Sequence, residues 1–258
     1  MKLEDIKTIG VVGGGVMGTG ISQCIIGAGY KVIVRDLKDE ILAKMKNTIT
    51  DGRFGMKGTV KLGKMTQEQM EKAITNLSTT TKVEDLKDCD LIIEAIGGSN
   101  EDELENKPMK LKVYAELDGV IKKEAIFGSN TTSFTIAGLA AATNRKDRFI
   151  GTHFFSPAQI MKAVEVVYTP DVREDVVQTI IEFVRKIGKN PARMKDMPGD
   201  KSFASNHVVA AARAEARRLV DEGIVTAEDL NMVMMQGWGW PVGPLPTGGV
   251  PGYRTGFQ

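Results

Sequence analysis

The 258-residue chain is short of the residues that most often announce a chemistry, with two cysteines and two histidines. Cys24 and Cys89 have no metal-like spacing and lie in apolar segments, so disulfide and zinc readings are both poor and buried reduced thiols are expected. A dominant charge is also missing. With 34 basic and 33 acidic residues the net charge is +1, which gives no reason to expect a nucleic acid or an anionic membrane as partner. No apolar run approaches the roughly 18 residues a spanning helix needs, and Met1–Asp5 carries no signal-like apolar region, so a cytoplasmic protein with no membrane partner is expected. No internal repeat is visible.

What is present begins at the first apolar run. Residues 6–12 read as a strand, Gly13-x-Gly15-x-x-Gly18 follows, a helix runs over 16–28, and a second strand over 31–35 leads into Asp36. Strand, glycines, helix and an acid eighteen residues beyond Gly18 together match the fingerprint of a dinucleotide site, nicotinamide or flavin. Gly13 permits the tight turn, Gly15 leaves room for a pyrophosphate, and Gly18 allows the helix to approach the sheet. The phosphates then meet a helix N-terminus and its unpaired N–H groups. Asp36 is placed to accept from ribose hydroxyls and to repel a 2′-phosphate, which favours NAD over NADP. Arg35 belongs on the opposite face of the strand.

Strands and helices alternate across the first three quarters of the chain, which predicts an α/β, doubly wound Rossmann-type sheet over residues 1–198. The polar, Lys-rich stretch 51–75 reads as a helical insertion, with Lys57, Lys61 and Lys64 either facing an anionic ligand or lying on a solvated face. The expected succession is a strand at 76–80, a short helix at 83–87, a strand at 91–96, a helix at 109–122, a strand at 125–127, a helix at 135–142 and a strand at 149–155. A helix at 171–187 and a strand at 192–196 complete the sheet domain. Between Gly97 and Pro108 lies an acidic loop at the C-terminal edge of a strand, where ligands of open α/β sheets bind. Met197–Asp200 marks a boundary. Beyond it, 199–258 reads as a second, smaller, all-helical domain, with a long helix over 202–222 and a capping box at Thr226 opening another.

His153 ends an apolar strand, and Glu165 lies on a run that returns after a turn. A carboxylate beside an imidazole raises its basicity, fixes its tautomer and stabilises the imidazolium. A dehydrogenase needs such a group to take a hydroxyl proton while hydride leaves the same carbon.

Gly13–Gly20, Ile92–Ile96, Tyr114–Asp118, Ser129–Ser133, Arg148–Pro157, Met161–Val166, Asp221–Gly223 and Trp240–Pro244 occur together in an order that resembles the L-3-hydroxyacyl-CoA dehydrogenase family. The resemblance implies His153 as general base with Glu165 orienting it. It implies Thr132, in place of the usual Ser, and Asn206 as substrate contacts. Gly13, Gly15, Val16, Met17, Gly18, Asp36, Lys110, Asn130 and Ser156 are implied around NAD, and an acyl-CoA substrate and a homodimer are implied as partners. His207 takes the place of a usual Arg and reads as a helix-surface residue. Gly98 falls where the family has a cofactor-touching Glu, leaving Glu101 or Glu103 to substitute. After Gly-Pro the family continues with further helices, whereas Leu245–Gly252 carries two prolines and three glycines, so a shortened second domain is expected. Val208, Val209 and Leu219 then need cover from a partner subunit, or stability is lost. Besides oxidation of a short-chain L-3-hydroxyacyl-CoA, the sequence leaves open a free hydroxy acid or sugar acid as substrate, and a non-catalytic NAD-binding role.

Overall fold

The computed structural model describes residues 1–97, 107–199 and 203–245. It divides into two compact units, Met1–Lys201 and Ser202–Gln258. Eight strands form one sheet in the first unit: β1 Thr8–Val12, β2 Lys31–Arg35, β3 Leu77–Thr80, β4 Leu91–Glu94, β5 Ile126–Ser129, β6 Phe149–Phe154, β7 Ala163–Tyr168 and β8 Asn190–Lys195. Their order is β3-β2-β1-β4-β5-β6-β7-β8. Every pair is parallel except β6 with β7. The first six strands thus follow the doubly wound dinucleotide-binding order, with the reversal between β1 and β4.

The central strands are continuous apolar runs because helices cover both of their faces. Ile9, Val11, Ile93, Ile126 and Ile150 pack with α1 Val16–Gly27, α2 Asp39–Asp51 and α7 Glu174–Lys186 in one apolar layer. On the other face Phe127 and Phe149 meet Tyr114 of α5 Lys107–Val120, with Tyr114 and Phe149 edge to face at 4.7 Å. The insertion after α2 forms α3 Met56–Lys61 and α4 Gln67–Thr75. Thr66 caps α4, its hydroxyl accepting from the Gln69 N–H while the Gln69 side chain accepts from the Thr66 N–H. Lys57 pairs with Asp51 at 2.6 Å, and Lys57, Lys61 and Lys64 are all exposed.

Several elements differ from the sequence expectation for local reasons. α5 is already helical at Lys107, ahead of the expected start at Met109. β5 extends to Ser129, whose side chain is held from β4. α6 is only Ile136–Ala140. β8 starts at Asn190 and accommodates Pro191 because it is the edge strand.

The second unit contains α8 Ala204–Asp221 and α9 Ala227–Gln236, the latter capped by Thr226, which accepts from the Asp229 N–H. Asn231 donates to the Leu245 carbonyl at 2.9 Å and accepts from its N–H at 3.0 Å, pinning the segment after α9. Val208 and Val209 are exposed. The Pro- and Gly-rich run after Leu245 lies outside the described residues. No described helix is long and apolar enough to cross a membrane, and the described residues hold no cluster of metal-binding side chains. Cys24 and Cys89 are free thiols, and burial pushes that of Cys89 up to about 12.

Candidate active site

The glycine turn leaves β1 at the point where the strand order reverses. Gly13 has φ +108°, a conformation that side chains resist, and a Cβ there would sit 2.8 Å from the Ala95 carbonyl oxygen. At Gly15, the N-cap of α1, a Cβ would meet nothing within 4 Å, so the space beside it is open. At Gly18 a Cβ would lie 1.8 Å from the Gly13 carbonyl oxygen. An open approach to the first turn of a twelve-residue helix, with its unpaired N–H groups, fits a pyrophosphate. Val16 is exposed and Met17 half-buried at the same turn. Asp36 follows β2 as expected. Its Oδ2 accepts from the Gly14 N–H and its Oδ1 from the Leu37 N–H, both at 2.7 Å, which fixes the carboxylate beside the glycine turn.

His153 and Glu165 are register partners in the antiparallel β6–β7 pair. Directly opposed residues present their side chains on one face. Here Nδ1 of His153 and Oε2 of Glu165 lie 2.6 Å apart, with His153 4% and Glu165 2% exposed. The imidazole also lies against the Phe155 ring, centroids 4.6 Å apart. Tied through Nδ1, the ring is held with Nε2 as its other nitrogen. Ser156 is exposed on the turn that follows. That turn is anchored by Lys189, which is buried and donates to the carbonyls of Ala158 at 2.6 Å and Met161 at 2.8 Å.

β5 delivers the third group of expected residues. Asn130 Oδ1 accepts from the Phe154 N–H at 2.8 Å, tying the end of β5 to the strand of His153. Thr132 is half-buried, its hydroxyl 3.5 Å from that of Ser133. Asn206 lies in the first turn of α8, in the second unit, and is half-buried, while the neighbouring His207 is exposed. Glu101 and Glu103 lie outside the described residues.

Lys110 is 2% exposed, with its ammonium 2.6 Å from Oε1 of Glu94. Glu94 ends β4, is fully buried, and was not singled out by sequence reasoning. The signal was nevertheless present, since an acid inside Ile92-Ile-Glu-Ala-Ile96 must be paired if the strand is buried. Burial, together with the neighbouring Glu94 carboxylate, holds the Tyr114 phenol well above its usual range.

Residues 8–197 match the NAD binding domain of 3-hydroxyacyl-CoA dehydrogenase, and residues 203–257 match the C-terminal domain of the same family. The chain is 37% identical over 243 residues to the mitochondrial hydroxyacyl-coenzyme A dehydrogenase of Rattus norvegicus, covering 93% of this chain and 74% of that one. A crystal structure of (S)-3-hydroxybutyryl-CoA dehydrogenase from Ralstonia eutropha superposes with a TM-score of 0.82 at 31% identity, over 93% of this chain and 80% of that chain. A diketoreductase acting on dicarbonyl compounds gives 0.78 at 25% identity, over 93% and 81%. The glycine turn, the sheet order and both domain matches agree: the chain belongs to the NAD-dependent 3-hydroxyacyl-CoA dehydrogenase family.

Proposed function

We propose that the protein interconverts a short-chain L-3-hydroxyacyl-CoA and the corresponding 3-oxoacyl-CoA, with His153 as general base and Glu165 as its orienting partner. The observation that carries this reading is the 2.6 Å contact between the two side chains across β6 and β7. NAD, when bound on the glycine turn, supplies the hydride acceptor. Nε2 of His153 takes the proton of the 3-hydroxyl group. Glu165 holds Nδ1 and stabilises the positive charge that then develops on the ring. Burial of both groups keeps water from competing for that proton and strengthens their attraction. Thr132 contacts the substrate oxygen, an assignment that rests on the family resemblance. In the reverse direction His153 returns the proton to the forming alkoxide. The 3-hydroxybutyryl-CoA dehydrogenase from Ralstonia eutropha supports a short acyl chain.

A second reading keeps the same proton transfer and dispenses with CoA. The similarity to a diketoreductase of dicarbonyl compounds favours it. NADH oxidation with acetoacetyl-CoA, compared with free acetoacetate and L-gulonate, separates the two. Turnover with the thioester at least tenfold above either free acid is the expected result, and a preference for a free acid replaces the first reading with the second. Replacing His153 by Gln is expected to lower turnover by about 10²–10⁴-fold with NADH affinity unchanged. Unaltered turnover removes His153 from the mechanism.

A further inference from the structure

The helix that follows the glycine turn makes a second close contact, on its flank. At Gly20, within α1, a Cβ would lie 2.5 Å from the Gln159 side-chain oxygen, 3.0 Å from the Ala158 Cβ and 3.5 Å from the Ala158 nitrogen. Both neighbours belong to the turn between β6 and β7, residues 155–162. One helical turn further along α1, the Cys24 thiol reaches the Ala158 carbonyl at 3.6 Å. Ala158 is 2% exposed and, with Phe154 and Val164 from the strands on either side, packs in the same apolar layer as Ile21 and Ile25 of α1. A residue without a side chain at position 20 lets the turn come this close.

Lys189, just before β8, holds the same turn. A buried ammonium is tolerated where oxygens replace its water, and the Ala158 and Met161 carbonyls do so at 2.6 and 2.8 Å. The Ala158 carbonyl is therefore shared by Cys24 of α1 and by Lys189. Burial pushes the Cys24 thiol up, and the charge of the nearby Lys189 ammonium works against that. Helix α1 thus bears the glycine turn at its N-terminus and the β6–β7 turn on its flank. At about 1.5 Å per residue, roughly 6 Å along the axis separates Val16 from Gly20 and roughly 12 Å separates it from Cys24. His153 immediately precedes Phe154, and Glu165 lies close to the start of β7 at Ala163, so both members of the proposed proton-transfer pair flank the docked turn.

We propose that α1 is the spacer between cofactor and base, with Gly20, Ala158 and Lys189 as positioning residues that dock the β6–β7 turn on its flank. They act through the strands of His153 and Glu165. Hydride and proton leave the same carbon, so the nicotinamide and the imidazole must be held at one separation. A single helix that braces the glycine turn and the strands of the base supplies it. The proposal rests on the dehydrogenase reading for the identity of the reacting groups.

The test exchanges a methyl group across the contact, with Gly20→Ala, Ala158→Gly and the double variant Gly20→Ala/Ala158→Gly. Three quantities are read: kcat with acetoacetyl-CoA, Kd for NADH, and the NMR resonances of the His153 imidazole, which report on the base without turnover. His207, the other histidine of the chain, is exposed in the second unit and serves as the reference. Alanine is the better helix former, so Gly20→Ala keeps α1 and displaces the turn. Because a one-ångström displacement of reacting groups costs about 10²-fold, Gly20→Ala is expected to lower kcat about tenfold or more and to shift the His153 resonances, with Kd for NADH within about threefold of the parent. The double variant returns the lost space from the other side and is expected to recover kcat to within about threefold of the parent, the mark of coupled neighbours. A folded Gly20→Ala variant with parental kcat and unmoved His153 resonances overturns the proposal. A variant that loses NADH affinity while the His153 resonances stay in place also overturns it, since α1 then serves the cofactor alone. So does a double variant whose loss in kcat is the product of the single ones. If Gly20→Ala does not fold, Lys189→Met leaves α1 unaltered and releases the turn. It is expected to shift the His153 resonances and to lower kcat about threefold or more with Kd for NADH unchanged, and unmoved resonances with parental kcat would sink the idea. Should the parent protein turn over no acyl-CoA at all, the dehydrogenase reading fails, while the resonance arm still decides whether the docked turn positions the imidazole.

Discussion

The carbonyl oxygen of Gly13 occupies the place that the first side-chain carbon at residue 18 would need, 1.8 Å away. The obstacle is backbone, so rotation of a side chain cannot relieve it. Gly18→Ala must push α1 off the turn, at a cost of about 1–3 kcal/mol by the usual scale of overpacking. A fall in Tm of some 2–10 °C is expected, with NADH affinity weakened about tenfold or more in fluorescence titration. An unshifted Tm with full affinity would show that the turn and the helix do not need this close approach.

Asp36 bridges the Gly14 and Leu37 N–H groups and brings a negative charge beside the glycine turn. Asp36→Ser keeps a hydrogen-bonding side chain and removes the repulsion toward a 2′-phosphate. The ratio of kcat/KM with NADPH to that with NADH is expected to rise by about 10²-fold, the scale of one like-charge contact worth a few kcal/mol. A ratio that stays at the parental value would place the adenosine ribose elsewhere.

Lys189 is a buried ammonium that holds two carbonyls of the turn joining the strands of His153 and Glu165. Lys189→Met fills similar volume but leaves the Ala158 and Met161 carbonyls without that donor. Destabilisation of about 1–3 kcal/mol is expected in urea unfolding, and kcat should fall because the proposed base and its orienting carboxylate flank this turn. Loss of stability with kcat intact would limit the residue to a structural role.

Asp118 joins α5 to the segment before β6. Burial raises its carboxyl, but the Asn144 N–H, the Arg145 guanidinium at 2.6 Å and the Asn144 side chain outweigh burial and hold it below the ordinary carboxylate value. A lowered folded-state value means the carboxylate stabilises the protein above its unfolded-state value, about 3.9, and that this contribution is lost as pH falls through the folded one. Tm measured from pH 7 to pH 2 is therefore expected to drop less steeply in Asp118→Asn than in the parent. The variant should start about 1–3 kcal/mol less stable at pH 7, since Arg145 then keeps a buried charge with a neutral partner. Parallel curves would exclude Asp118 from the acid response.

Local chemistry made the first half of the site legible in the chain. Gly13, Gly15, Gly18 and Asp36 are constrained by contacts within one strand, turn, helix and strand, and such constraints are written in consecutive residues. The alternation of apolar runs and helical patterns likewise indicated a covered parallel sheet, and Thr226 marked its helix start through a cap that needs only three further residues. Lys110 was legible as a residue of the site region but not as a partner of Glu94, because nothing in the spacing tells a solvated helix lysine from one turned into the sheet.

The sequence by itself determined the dinucleotide turn, the class of fold and the residue types available for proton transfer, because each depends on near neighbours in the chain. Only the tertiary structure decided that β7 runs antiparallel to β6, setting Glu165 opposite His153, and that Glu94 collects donors from α5 and β5. Those pairings depend on strand direction and register across the sheet, which are set when the whole apolar core closes.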